Sequence, residues 1–140
     1  MHLVSNKPKI IVICGPTGIG KTAVGIELAD MFGGEIISSD SMQIYRHMDI
    51  GTAKPTPEER AQITHHMIDI VDPDEDFDAA QFLSRGRAII AELDSRGRIP
   101  LVVGGTGLYI KALLHGIFQS RSIVSDVRER LRKEACEFGS

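Results

Sequence analysis

Gly15-Pro16-Thr17-Gly18-Ile19-Gly20-Lys21-Thr22 follows the β-branched run Lys9-Ile10-Ile11-Val12-Ile13-Cys14 and precedes the stretch Ala23 to Phe32. The octet fits the pattern G-x-x-x-x-G-K-[ST] between a strand and a helix, the setting in which such a loop holds phosphate. Glycines at 15, 18 and 20 reach backbone conformations closed to other residues, so successive N–H groups turn inward around phosphate oxygens. Lys21 adds a positive charge. Thr22 opens the helix, where its hydroxyl is suited to ligate Mg²⁺ and the helix N-terminus favours a bound anion. Residues 15–22 are therefore expected to bind a polyphosphate. In the helix that follows, Val24, Leu28, Met31 and Phe32 fall on one stripe at 3/4 spacing, which predicts the buried face.

Working outward, Gly33-Gly34 breaks the helix, and Glu35 to Ser39 reads as a second strand ending at Asp40. Residues 41–64 hold Pro55 and Pro57 without a steady period and read as an irregular connection with a short helix from Glu58. A third strand is expected at Met67 to Val71. Six acids between Asp69 and Asp78 read as a solvated loop. Asp78, with Gln81 three residues on, caps a helix whose stripe is Ala79, Phe82, Leu83, Gly86, Ile89, Ile90 and Leu93, and Gly97 suits its stop. Ile99 to Val103 is an apolar strand of the kind covered on both faces, running into Gly104-Gly105-Thr106-Gly107. A helix follows through Leu114, and Ser125 to Glu137 reads as another. Strands alternating with helices predict an α/β fold with a mostly parallel sheet, whose ligands gather beyond the strands' C-terminal ends.

The chain's 140 residues suffice for one domain with a real core. Its 16 Lys and Arg against 19 Asp and Glu argue against nonspecific nucleic-acid binding by the bare chain. Cys14 and Cys136 read as packed thiols in a reducing, cytoplasmic setting. No run approaches the roughly 20 apolar residues of a membrane span, so no membrane partner is expected.

In such a sheet the strand ends at Cys14, Ser39 and Val103 open onto one edge, so the phosphate loop, Asp40 and Thr106 are expected to share a crevice. Asp40 could ligate Mg²⁺ through water, hold a substrate, take a proton as general base, or simply stabilise a turn among its neighbouring serines. The 104–107 turn suits an anion or packing alone. His65-His66 lacks companion ligands at metal spacing and is read as surface or satisfied histidine. The Ile99 to Val103 strand ends in glycines where an NTPase would place a metal-organising Asp, leaving Asp40 or Asp69 as substitutes. A small-molecule kinase and a nonenzymatic nucleotide-binding module are the alternatives from residues alone.

Six blocks in series narrow the choice. The loop octet, Ser39 to Tyr45, Met48 to Pro55, His66 to Ile70, Ile99 to Tyr109 and Asp126-Val127-Arg128 together resemble the tRNA dimethylallyltransferase family over nearly the whole chain. The resemblance implies a P-loop NTPase-like, three-layer α/β/α domain. It implies transfer of a dimethylallyl group from its diphosphate to N6 of the adenosine 3′ to the anticodon. Residues 15–22 (Gly15, Pro16, Thr17, Gly18, Ile19, Gly20, Lys21 and Thr22) would cradle the diphosphate, with Mg²⁺ at Thr22. Asp40, Thr106 and Lys21 would be catalytic, with Asp40 the general base. Asp40, Ser41, Met42, Gln43, Thr106 and Arg128 would contact the tRNA anticodon loop. Members are longer, so the chain is expected to be an N-terminal portion, a monomer, with residues 121–140 beginning a helical region.

Overall fold

A computed structural model describes residues 7–117 and 133. Four strands, β1 (Ile11–Cys14), β2 (Gly34–Ser38), β3 (His65–His66) and β4 (Ile99–Gly104), form a parallel sheet in the order β1-β4-β2-β3. Parallel neighbours need crossover connections, and the helices α1 (Lys21–Phe32), α2 (Pro57–Gln62), α3 (Ala79–Ser95) and α4 (Gly107–His115) lie in those connections or follow the last strand. Ile36 pairs in register with Leu101, and Ile37 with Val102. Successive side chains leave opposite faces of a strand, so these two pairs feed two cores. On one face Ile36, Leu101 and Val103 pack with Ile26 and Ala29 of α1. On the other, Ile37 and Val102 pack with Phe82, Leu93, Tyr109, Ile110 and Leu113 of α3 and α4. The result is the expected three-layer α/β/α arrangement of a P-loop NTPase-like fold.

Two helices start as their sequences dictate. Thr56 Oγ1 accepts from Glu59 N at 3.1 Å while Glu59 returns a bond to Thr56 N at 2.8 Å, and Pro57 stands in the first turn, where a missing N–H costs nothing. Asp78 and Gln81 repeat that reciprocal box at the head of α3. Phe82, Gly86 and Leu93 of its expected stripe are buried. Phe82 stacks on Tyr109 with ring centroids 4.6 Å apart, which joins α3 to α4.

Four expectations need correction. The α1 stripe is mostly wrong: Val24, Met31 and Phe32 are exposed, only Leu28 of it packs against the core, and Gly25, Ile26 and Ala29 face the sheet. The helix docks through its smallest residues; a Cβ on Gly25 would lie 3.1 Å from Val103 Cγ2, so hydrophobic period selects the wrong face. The third strand is His65–His66, and Met67 to Val71 is not one. Met67 and Asp69 have φ of 66° and 55°, which breaks the extended chain, and Val71 makes only a single bridge to Tyr45. Cys14 is an exposed free thiol, because β1 is the outermost strand among the described residues. Asp69 is no solvated acid, for reasons given below. Cys136, Arg128 and the helix expected from Ser125 to Glu137 lie outside the described residues, apart from a helical position at Lys133. No helix among the described residues is long and apolar enough to cross a membrane.

Glu35 is a buried carboxylate at the sheet's lower rim. His66 Nε2 lies 2.7 Å from one of its oxygens and Arg96 Nη1 donates to the other at 3.0 Å. Burial opposes its charge, but the bonds from Arg96 and His66 outweigh that and lower its pKa below 4.5. Its stabilisation is thus present above that value and lost as pH falls through the depressed folded-state pKa. Urea unfolding should show Glu35→Ala less stable by about 1–3 kcal/mol at neutral pH. The deficit should shrink in acid, as the wild-type carboxylate becomes protonated and its charge-assisted bonds are lost.

Candidate functional site

The loop between β1 and α1 holds the expected backbone conformations. Gly18 and Gly20 have φ of 86° and 89°, and Gly20 caps α1 without any side-chain bond to the helix. The first-turn N–H groups of α1 are thereby left for a ligand, and no acidic side chain stands there to compete. Lys21 Nζ folds back on the Pro16 carbonyl oxygen. Thr22 is half-buried in the first turn, and its hydroxyl has no hydrogen-bond partner among the described residues, so an oxygen ligand for a hard cation is available.

The ends of β2 and β4 are sewn together. Ser39 N donates to Val103 O at 2.8 Å, Thr106 N donates to Ser39 O at 3.0 Å, and Ser41 N donates to Thr106 Oγ1 at 2.9 Å. Gly104 makes this approach possible: a Cβ there would sit 2.2 Å from Ser39 O. Asp40 stands on the seam. Its Oδ1 accepts from Met42 N at 2.8 Å and Gln43 N at 3.2 Å, and its Oδ2 has no partner among the described residues. The turn reading and the acid reading of Asp40 therefore belong to different oxygens of one side chain.

A cavity of about 250 Å³ unites these parts. Thr17, Gly18, Gly20, Lys21 and Thr22 form one side, Ser38, Asp40 and Gln43 another, and Gly104-Gly105 a third. Asp40 is the one carboxylate in that lining. Thr106 is tied to the cavity through Ser41 and does not line it; Ser41 and Met42 also stand outside the lining. Sequence reading missed the apolar walls, Ile36, Val103, Ala53 and Pro55, and also His65. His65 Nδ1 lies 2.7 Å from Ile63 O, and Nε2 is buried without a partner. Burial lowers the His65 pKa, only partly offset by the Ile63 carbonyl, and so favours the neutral ring. His66 is the satisfied histidine expected, bonded to Glu35. Asp69 does not reach the cavity. Lys54 Nζ donates to its Oδ1 at 2.6 Å and Arg60 Nη1 to its Oδ2 at 2.8 Å, so neither oxygen is left for a metal. Among the described residues no group of three or more His, Cys, Asp or Glu could hold a metal ion. A cation here would depend on Thr22 and on ligand oxygens.

The family model described as IPP transferase matches residues 43–139, and that described as isopentenyl transferase matches residues 8–75. The chain belongs to the IPP transferase family. It is 55% identical over 135 residues to a tRNA dimethylallyltransferase of Desulfosudis oleivorans, covering 96% of this chain and 43% of the relative. It is 64% identical over 113 residues to tRNA dimethylallyltransferase 2 of Syntrophus aciditrophicus, covering 81% and 36%. The full-length tRNA isopentenylpyrophosphate transferase of Bacillus halodurans superposes with a TM-score of 0.79 at 46% identity, covering 95% of this chain and 44% of that one. This member of the IPP transferase family thus spans less than half the length of those relatives.

The seam admits a direct check. Gly104→Ala should destabilise the chain by about 3 kcal/mol or more and weaken pyrophosphate binding, since backbone would have to move. Gly107→Ala, with nothing within 4 Å of the added Cβ, should change neither measurement.

Proposed function

We propose that this chain is the diphosphate-binding part of a tRNA dimethylallyltransferase. It would act in the cytoplasm as a monomer, on dimethylallyl diphosphate and a tRNA anticodon loop. The observation that carries the reading is the single cavity lined together by a phosphate loop, Asp40 and an apolar wall. A kinase would need the loop and the acid, but not the hydrocarbon surface of Ile36, Val103, Ala53 and Pro55. The family and the relatives' names support the same choice.

In this reading the loop N–H groups of residues 15–20, Pro16 excepted, and Lys21 grip the diphosphate. Mg²⁺, held by Thr22 and the diphosphate, would supply further positive charge against the departing pyrophosphate. The N6 lone pair of adenine forms a bond to C1 of the dimethylallyl group as the C1–O bond breaks, and its electron pair leaves with pyrophosphate. N6 is a weak nucleophile because its lone pair is delocalised into the ring. Asp40 Oδ2 accepts the proton that N6 sheds, while the bonds to Oδ1 hold the carboxylate in place. Thr106 would steady this arrangement by accepting a bond from Ser41 N, next to Asp40. Ser41, Met42 and Gln43 would meet the RNA beside the extruded base, with Arg128 a further contact.

Calorimetric titration should show dimethylallyl diphosphate binding more tightly than inorganic pyrophosphate or ATP, strengthened by Mg²⁺ and abolished by Lys21→Ala. In the enzyme extended to the length of its relatives, Asp40→Asn should retain donor binding and lower prenyl transfer to an anticodon stem-loop by about 10²- to 10⁴-fold. Phosphate transferred from ATP to a small molecule would support a kinase instead, and unchanged prenyl transfer in Asp40→Asn would remove the base from the scheme.

A further inference from the structure

Two sequence blocks, Met48 to Pro55 and His66 to Ile70, supply none of the phosphate-binding or proton-accepting groups, yet they form one interlocked device that includes the Ala53-Pro55 wall. Residues 44–46 are anchored to the strand-like stretch beyond β3: Ile70 N donates to Ile44 O at 2.9 Å and Arg46 N to Val71 O at 2.8 Å. From there the chain loops out through an exposed tip at Ile50 and returns as Thr52-Ala53-Lys54-Pro55, where Ala53 and Pro55 reach the cavity. The return is conformationally unfavourable. Ala53 has φ of 49°, a region an alanine occupies only when its surroundings impose it.

Two side chains impose it. Gln43 spends its whole amide on the fold: Oε1 accepts from Ser38 Oγ at 2.9 Å, and Nε2 donates to Thr52 O at 3.1 Å and Ala53 O at 2.9 Å. Lys54 is more unusual, since its side chain is only 8% exposed. Its ammonium group meets three oxygens, Tyr45 O at 2.6 Å, Asp49 Oδ1 at 2.8 Å and Asp69 Oδ1 at 2.6 Å, which matches its three protons. Burial opposes the charge, but Asp49 and Asp69 outweigh it and raise the Lys54 pKa. Asp69 is itself held by Arg60 of α2 and by a backbone φ of 55°. The ammonium group therefore ties the returning strand to an acid that cannot yield.

We propose that Lys54 is a positioning residue that pins residues 48–55 as one wall of the cavity and so sets its affinity for the hydrocarbon end of an organic diphosphate. The proposal rests on the donor reading given above and adds a residue that touches neither phosphate nor base. Its consequence is selective. The phosphate loop is built on β1 and α1, away from the pin, so losing Lys54 should loosen the Ala53-Pro55 wall and leave the diphosphate grip intact.

The test compares Lys54→Met with wild type in two ways, by amide hydrogen exchange and by titration with dimethylallyl diphosphate and with inorganic pyrophosphate. Exchange should quicken at residues 49–54 and stay unchanged in α1 and β4. Affinity for dimethylallyl diphosphate should fall by roughly tenfold, with pyrophosphate affinity changed by less than about twofold. Unchanged exchange at 49–54, or a parallel loss of both affinities, would overturn the pin. If Lys54→Met does not fold, Asp49→Asn removes one exposed acceptor of the same ammonium group and should give both effects in milder form; neither effect in that variant would likewise overturn it. Equal wild-type affinity for the two ligands would overturn the donor reading alone, and the exchange pattern would still decide whether Lys54 pins the wall.

Discussion

The closeness of the β2 and β4 ends governs the rest of the site. Ser39 and Gly104 approach so nearly that no side chain fits between them, and three hydrogen bonds across this seam fix where Asp40 and Thr106 stand. Those residues would otherwise belong to separate loops. Because β4 pairs with both β2 and β1, it holds the acid-bearing turn after β2 and the phosphate loop after β1 at a fixed spacing. Rigid strands set the spacing, and short turns at their ends supply the chemistry, an arrangement suited to a reaction that depends on alignment.

Charge inside this domain is handled by pairing. Lys54 is surrounded by three oxygens and Glu35 by His66, Arg96 and Arg98, so each buried ion has partners of opposite sign or polarity. Asp40 is the contrast. It has a satisfied oxygen and one without a partner among the described residues, and its side chain lines the same cavity as the phosphate loop. The difference between a structural and a chemically available carboxylate is here a matter of counting donors.

Much of this was legible in the sequence because local rules decided it. The glycine pattern at 15–20, the capping pair Asp78 and Gln81, and the continuous apolar run from Ile99 to Val103 each specify their own conformation. What escaped was set at a distance. Nothing in the period of α1 says that it docks through Gly25 and Ala29, since that depends on how near the sheet comes. The ends of β3 depend on left-handed backbone at Met67 and Asp69, held by Lys54 from another segment. Likewise Asp69 reads as one acid among six, and only the fold brings Lys54 and Arg60 to it. The cavity's apolar wall came from Ala53 and Pro55, in a stretch with no periodic signal at all.

The strand order has a bearing on how the molecule comes into being. Among the described residues β4 is the last strand in sequence, yet it lies between β1 and β2, which do not pair with each other. A nascent chain that has emerged only as far as Arg98 already carries the phosphate loop and Asp40 but has nothing to join them. The phosphate loop and Asp40 therefore become parts of one cavity only once β4 fills the gap and completes both ladders.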